Sequence, residues 1–241
     1  MTRFTVLPDP DAVAVATADH FVATVRGAIE ARGIARVALS GGGTPKQVYP
    51  LLLEPARRDA VEWSRVEFFW GDERAVPPDH PESNFGVAYG MLISQLPATR
   101  PDRVHRMPAE AQDLEAAALS HESELRLAFG SRADEPPAFD LVWLGMGPDG
   151  HTASLFPGSA ALDERERWVV ANWAPGPEAW RMTLTFPVLE AARHVIMVVT
   201  GSDKAEAIAR IRAGDRELPA ACVRGPAVEW IIEAAAAGEA E

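Results

Sequence analysis

Apolar residues along the chain follow two alternating rhythms. Short runs rich in β-branched and aromatic residues recur as RFTVL (3–7), RVALS (36–40), VEFFW (66–70), FDLVWL (139–144) and HVIMVV (194–199). Each predicts a strand, and the near-continuous apolarity suits strands covered on both faces. Between them, apolar residues fall three and four apart. In residues 18–32, Phe21, Val22, Val25 and Ile29 share a helical face. TPKQVYPLLLE (44–54) predicts a second helix, with Thr44 as N-cap, Pro45 in the first turn and Pro50 kinking or dividing it. NFGVAYGMLISQL (84–96) predicts a third, weakened by Gly86 and Gly90. Residues 110–129 predict a longer helix closed by Gly130. WVVAN (168–172) and RMTLTF (181–186) read as two more strands, followed by a short helix at Pro187. DKAEAIARIRAG (203–214) predicts a helix ended by Gly214, and VEWIIEAAAA (228–237) closes the chain. This alternation predicts a layered α/β architecture with a largely parallel sheet. ADEPPA (133–138) is the best candidate break but is short, so residues 1–241 are read as one domain.

Four of these strands run directly into unusual loops: GGGTP after 36–40, GDERAVP after 66–70, GMGPDGH after 139–144 and TGSDK after 194–199. In open parallel sheets, ligands bind beyond the carboxyl ends of the strands. If the four strands are parallel, Thr44, Asp72, Arg74, Asp149, His151 and Lys204 gather at one rim. The glycines Gly42 and Gly43 let backbone N–H groups approach an anion at a helix start, although a tight strand-to-helix turn would need them too. In GDER, Arg74 suits a bidentate anion contact and Asp72 would orient it or accept from sugar hydroxyls; the alternative is a surface ion pair. A histidine side chain exchanges its proton near neutrality, so His151 suits proton transfer, with Asp149 fixing its tautomer or shaping the loop; the alternative is a helix-capping histidine. Lys204 can add a point charge to an anion held by N–H groups, and Arg181, opening RMTLTF, can add a second cation.

Composition narrows the partners. The net charge of −12 opposes broad binding to nucleic acid or anionic membranes. Of 23 Lys and Arg only Lys46 and Lys204 are lysines, so a lysine in a glycine-bearing loop carries weight. No apolar stretch approaches the ~20 residues of a membrane helix, and Pro8, Asp9 and Asp11 interrupt any signal-like start. The single cysteine, Cys222, forms no internal disulfide and fits a reducing cytoplasm. His20, His80, His105, His121 and His194 lack partners at metal-ligand spacing and are read as surface or packing residues, so no metal site is predicted. Trp63, Trp70, Trp143 and Trp230 are assigned to the core. The SGGGTP loop is neither a Walker A loop nor a GxGxxG match, and the chain has no GxSxG elbow.

The motifs SGGGTP, FFWGDERAVPPDHPESNFG, LGMGPDGHTASLFPGS, RMTLTFPVLEAAR and VTGSDKAEAI, in this order over residues 36–232, resemble the 6-phosphogluconolactonase family. The resemblance implies a three-layer, Rossmann-like α/β/α fold with a mostly parallel central sheet. It implies hydrolysis of 6-phospho-D-glucono-1,5-lactone in the oxidative pentose phosphate pathway, without metal or organic cofactor. It assigns His151 as general base with Asp149, Arg74 and Asp72 around it, and Gly42, Gly43, Thr44, Lys204 and Arg181 to the substrate. A monomer without nucleic-acid or membrane partners is expected. The related glucosamine-6-phosphate deaminases share the glycine loop and DGH, but carry Asn-Glu-Pro and Asp-Glu-Tyr where this chain has HTASLFPG and GDERAVP. A deaminase-type enzyme and a non-catalytic sugar-phosphate sensor are the competing readings. NWAPGPEAW (172–180) departs from the family pattern just before Arg181.

Overall fold

The computed structural model describes residues 3–131 and 135–239, so part of the candidate break at 133–138 lies outside the described residues. Strands β1 (Arg3–Leu7), β2 (Ala35–Leu39), β3 (Val66–Trp70), β5 (Leu141–Leu144), β8 (Val195–Val199) and β9 (Val228–Glu233) form one six-stranded sheet in the order β1-β9-β8-β5-β2-β3. Every pairing within it is parallel. The closing segment 228–237 is thus a strand followed by turns. A second, antiparallel sheet joins β4 (Asp72–Arg74), β7 (Ala179–Leu184) and β6 (Val169–Ala174). Sequence periodicity shows β6 and β7 as strands but neither their separate sheet nor three-residue β4, which is too short to carry a rhythm.

Alternation along the central strands divides the core into two layers. Val37, Leu39, Phe68, Trp70, Leu141, Trp143, Ile196 and Val198 pack against α1 (Pro10–Arg32), α2 (Gly43–Leu52) and α4 (Asn84–Met91). Ala38, Phe69, Val142, Leu144, Val195, Met197 and Val199 pack on the opposite face, against α5 (Leu114–Phe129), α6 (Phe186–Ala191), α7 (Ala205–Arg212) and α8 (Pro219–Cys222). The result is three layers, α/β/α. Burying each large side chain contributes about 1.5–3 kcal/mol, and a one-residue slip would exchange the faces, so register is firmly specified. Trp63, Trp70, Trp143 and Trp230 are all buried, as expected.

α1 starts earlier than the apolar spacing alone suggests. The Asp9 side chain accepts from Ala12 N (2.8 Å), Pro10 takes the first helical position, and Gly33 closes the helix at φ +77°. At 23 residues, α1 is long and apolar enough to cross a membrane by length and composition, against the expectation that no stretch approaches that limit. Its Val13, Ala14, Thr17, Ala18, Phe21, Val25 and Ala28 are buried on one face while Asp11, Asp19, Arg26 and Glu30 point outward, the pattern of a core helix. Pro50 does not divide α2. It sits in the last turn, where its missing N–H costs one bond, and a separate short helix, α3 (Pro55–Arg58), follows.

Candidate active site

Strand order reverses between β2 and β5: β3 extends the sheet one way, while β8 and β9 extend it the other. The connections leaving β2 and β5 therefore diverge, opening a crevice at their carboxyl ends. A cleft of about 690 Å3 lies there. Its walls include Gly42, Gly43, Thr44, Asp72, Arg74, Asp149, His151, Arg181 and Lys204, so all nine sequence-predicted residues meet in one place.

The first wall is the loop after β2. Gly42 has φ +101°, a conformation side-chain-bearing residues avoid, and is itself the N-cap of α2. Thr44 is therefore not the cap. Its Oγ1 lies 2.9 Å from Thr200 Oγ1 and ties this loop to the one after β8. The N-cap offers no side chain to the first-turn N–H groups of α2, which leaves them and the positive helix end to a ligand. Gly41 is fixed for another reason: a Cβ there would lie 1.6 Å from Asn84 Oδ1.

The loop after β5 carries the histidine. His151 Nδ1 lies 2.6 Å from Asp149 Oδ1, and the His151 N–H also donates to that oxygen. Because a carboxylate only accepts, Nδ1–H is the donor, which in a neutral imidazole leaves the lone pair on Nε2. Burial works to raise the Asp149 pKa, but the hydrogen bond and charge of His151 prevail and hold it below its ordinary value. The Phe156 ring packs on the imidazole at 4.3 Å between centroids. Gly147 leaves room beneath: a Cβ there would lie 2.2 Å from His151 Cε1 and Nδ1.

GDER divides its two carboxylates between opposite faces of β4. Asp72 faces the cleft. Glu73 turns inward and accepts from Asn84 N and Phe85 N at the start of α4, from Arg74 N, and from Ser83 Oγ, all within 3.0 Å. Burial, chiefly, raises its pKa, partly offset by those bonds. The expectation that Asp72 orients Arg74 is corrected. Asp72 Oδ2 accepts from Ser154 Oγ (2.6 Å) and Oδ1 from Asn84 Nδ2 (3.1 Å). Arg74 donates instead to the Glu82 carbonyl (2.7 Å). Both residues project from the same face of β4, but Ser154 and Asn84 already occupy the carboxylate.

Three cations serve the cleft. Arg74 and Arg181 are direct cross-strand neighbours, and among the described residues neither forms an ion pair. Burial, then the Arg74 charge, lowers the Arg181 pKa. Like charges placed opposite one another, with no carboxylate in direct contact among the described residues, suit a site that receives an anion. Lys204 precedes α7 and is paired with Asp203, the more exposed partner. Sequence reasoning missed Ser154, Asn84, Asn172, Thr183 and Phe156. Ser154 and Phe156 stand within five residues of His151, and Asn84 follows the N-cap Ser83 of α4, so proximity to a motif was the available signal.

His105 and His121 lie outside the cleft. They share Glu124 through Nδ1 contacts of 2.7 and 3.3 Å, and those bonds bring the Glu124 pKa down to about 2.

The sequence profile of the family described as Glucosamine-6-phosphate isomerases/6-phosphogluconolactonase matches residues 8–232. A protein named 6-phosphogluconolactonase from Streptomyces coelicolor is 38% identical, with 96% of this chain and 92% of that protein covered. One of the same name from a Nostoc species is 37% identical, covering 97% and 96%. The solved 6-phosphogluconolactonase from Trypanosoma cruzi superposes with a TM-score of 0.86 at 30% identity, over 99% of this chain and 96% of that one. Fold, matched length and identity agree, and the chain belongs to the glucosamine-6-phosphate isomerase/6-phosphogluconolactonase family.

Proposed function

We propose that this chain hydrolyses 6-phospho-D-glucono-1,5-lactone to 6-phospho-D-gluconate, in the cytoplasm and as a monomer. The observation that carries the reading is the Asp149–His151 pair sharing a cleft with an uncapped helix start and three cations. A sugar phosphate spans such a cleft with its phosphoryl group on the N–H groups of Gly42, Gly43 and Thr44 and on Lys204, with Arg181 assisting. Arg74 faces the sugar or the carboxylate that forms at C1.

In this scheme neutral His151 takes a proton from water through Nε2, and the oxygen attacks the C1 carbonyl. Asp149 keeps the imidazole in the useful tautomer and stabilises the imidazolium that results. The tetrahedral oxyanion collapses, the C1–O5 bond breaks, and the ring oxygen takes the proton back from His151. The step needs no oxidant and no covalent enzyme intermediate. Phe156, lying over the imidazole, excludes bulk water from that face.

The test is proton release from freshly generated lactone in weak buffer, corrected for spontaneous opening. Saturable, enzyme-dependent release supports the proposal. Binding of 6-phosphogluconate without any acceleration of lactone opening would make the chain a sensor instead. Ammonia release from glucosamine 6-phosphate would make it a deaminase.

A further inference from the structure

One residue of the histidine loop bonds to all three strands of the small sheet. Ser154, three positions after His151, is buried and uses each of its polar groups on a different strand. Its Oγ donates to Asp72 Oδ2 on β4 (2.6 Å). Its N–H donates to Thr183 Oγ1 on β7 (3.2 Å). Its carbonyl accepts from Asn172 Nδ2 on β6 (2.8 Å). The two main-chain contacts seat the loop. The hydroxyl does something different, because its partner is a carboxylate close to two arginines that form no ion pair among the described residues.

Asp72, Arg74, Arg181 and Thr183 share one face of the sheet, with Asp72 opposite Thr183 and Arg74 opposite Arg181. Arg74 is two residues from Asp72 along β4, and Arg181 is its diagonal neighbour on β7. Diagonal cross-strand positions lie within reach of long side chains. Yet Asp72 forms no ion pair with either, and its bonds come from the neutral donors Ser154 and Asn84. Asn84 can present only its amide nitrogen, since both the Asp72 carbonyl and carboxylate accept from it.

We propose that Ser154 is a positioning residue that holds the Asp72 carboxylate away from Arg74 and Arg181, leaving both guanidiniums, which among the described residues donate only to the Glu82 and Trp180 carbonyls, without a carboxylate partner and ready for the anionic ligand. This rests on the proposed function for the identity of that ligand. Without the hydroxyl, Asp72 retains only Asn84 and turns toward an arginine, neutralising it in competition with the ligand.

The experiment is a cycle of Ser154→Ala, Asp72→Asn and the double variant, titrated with 6-phosphogluconate by calorimetry. Ser154→Ala is expected to weaken binding about tenfold, the scale of one hydrogen bond to a charged group. In the Asp72→Asn background, where no carboxylate is left to turn, Ser154→Ala is expected to change the affinity less than about twofold, within the spread of additive substitutions. A residue that merely supports the fold would weaken binding equally in both backgrounds, and that result overturns the proposal. Unchanged binding in Ser154→Ala overturns it too. The main-chain bonds to Thr183 and Asn172 survive all three substitutions, so the loop stays seated. Binding is read without turnover: a chain that binds 6-phosphogluconate but leaves the lactone intact refutes the proposed function and leaves this test standing.

Discussion

Gly147 offers a steric test of the histidine dyad. Its φ lies outside the left-handed region, so alanine suits the backbone and the effect is one of space alone. The added Cβ would stand 2.2 Å from His151 Cε1 and Nδ1 and 2.7 Å from Asp149 Oδ1. Carbon contacts become comfortable near about 3.5 Å, so the imidazole must retreat by roughly 1 Å or more. Phe156, packed at 4.3 Å, restricts that retreat. Asp149 is pushed by the same methyl, and the 2.6 Å bond between them cannot survive at its present geometry. A displacement of about 1 Å in a catalytic group costs on the order of 10²-fold in rate. Gly147→Ala should therefore lower kcat about 100-fold with KM within a few-fold, measured by proton release from fresh lactone. Overpacking should also cost about 1–3 kcal/mol in urea unfolding, which checks that the variant remains folded. A folded Gly147→Ala enzyme with kcat within about threefold of the parent would refute the assignment of His151 and its partner.

His151→Ala should lower kcat by about 10²–10⁴, the contribution typical of a general base, while 6-phosphogluconate still binds by calorimetry. The bonds from His105 and His121 bring the Glu124 pKa down to about 2, below the ordinary carboxylate value of roughly 4.3, so it contributes stability that is present above about pH 5 and lost as pH falls through about 2. Its half-exposed side chain limits the gain to about 1–2 kcal/mol after solvent screening. Urea midpoints should therefore show Glu124→Gln less stable than the parent at about pH 7 and level with it near about pH 2; a gap of constant size across this range would remove the carboxylate from the account. A methyl group added at Gly27, inside α1, would meet nothing within 4 Å, and the backbone there has no left-handed φ. Gly27→Ala should add about 0.5–1 kcal/mol and raise Tm by about 1–4 °C in calorimetric scans, and a fall in Tm would contradict it.

The sequence and the structure part company where contacts are long-range and short in extent. Strands β2, β3, β5 and β8 were legible because continuous apolar runs next to glycine loops reflect a local requirement, a strand buried on both faces that must turn sharply. The gathering of Asp72, Asp149, His151 and Lys204 at one rim followed from parallel topology alone. The roles within GDER did not. Whether Asp72 or Glu73 faces the ligand depends on which face of a three-residue strand points outward, and β4 acquires that face only by pairing with β7. Thr44 looked like an N-cap because the sequence shows residue types, whereas the helix start was decided by the φ of Gly42.

By itself, then, the chain determined its alternating elements, its parallel core and the four loops that bear chemistry, since each follows from periodicity and local backbone preference. Tertiary structure alone decided that a second sheet exists, that Arg74 and Arg181 stand side by side, and that Ser154 joins all three of its strands. Those facts depend on register between segments up to about a hundred residues apart, and no local pattern encodes register across such distances.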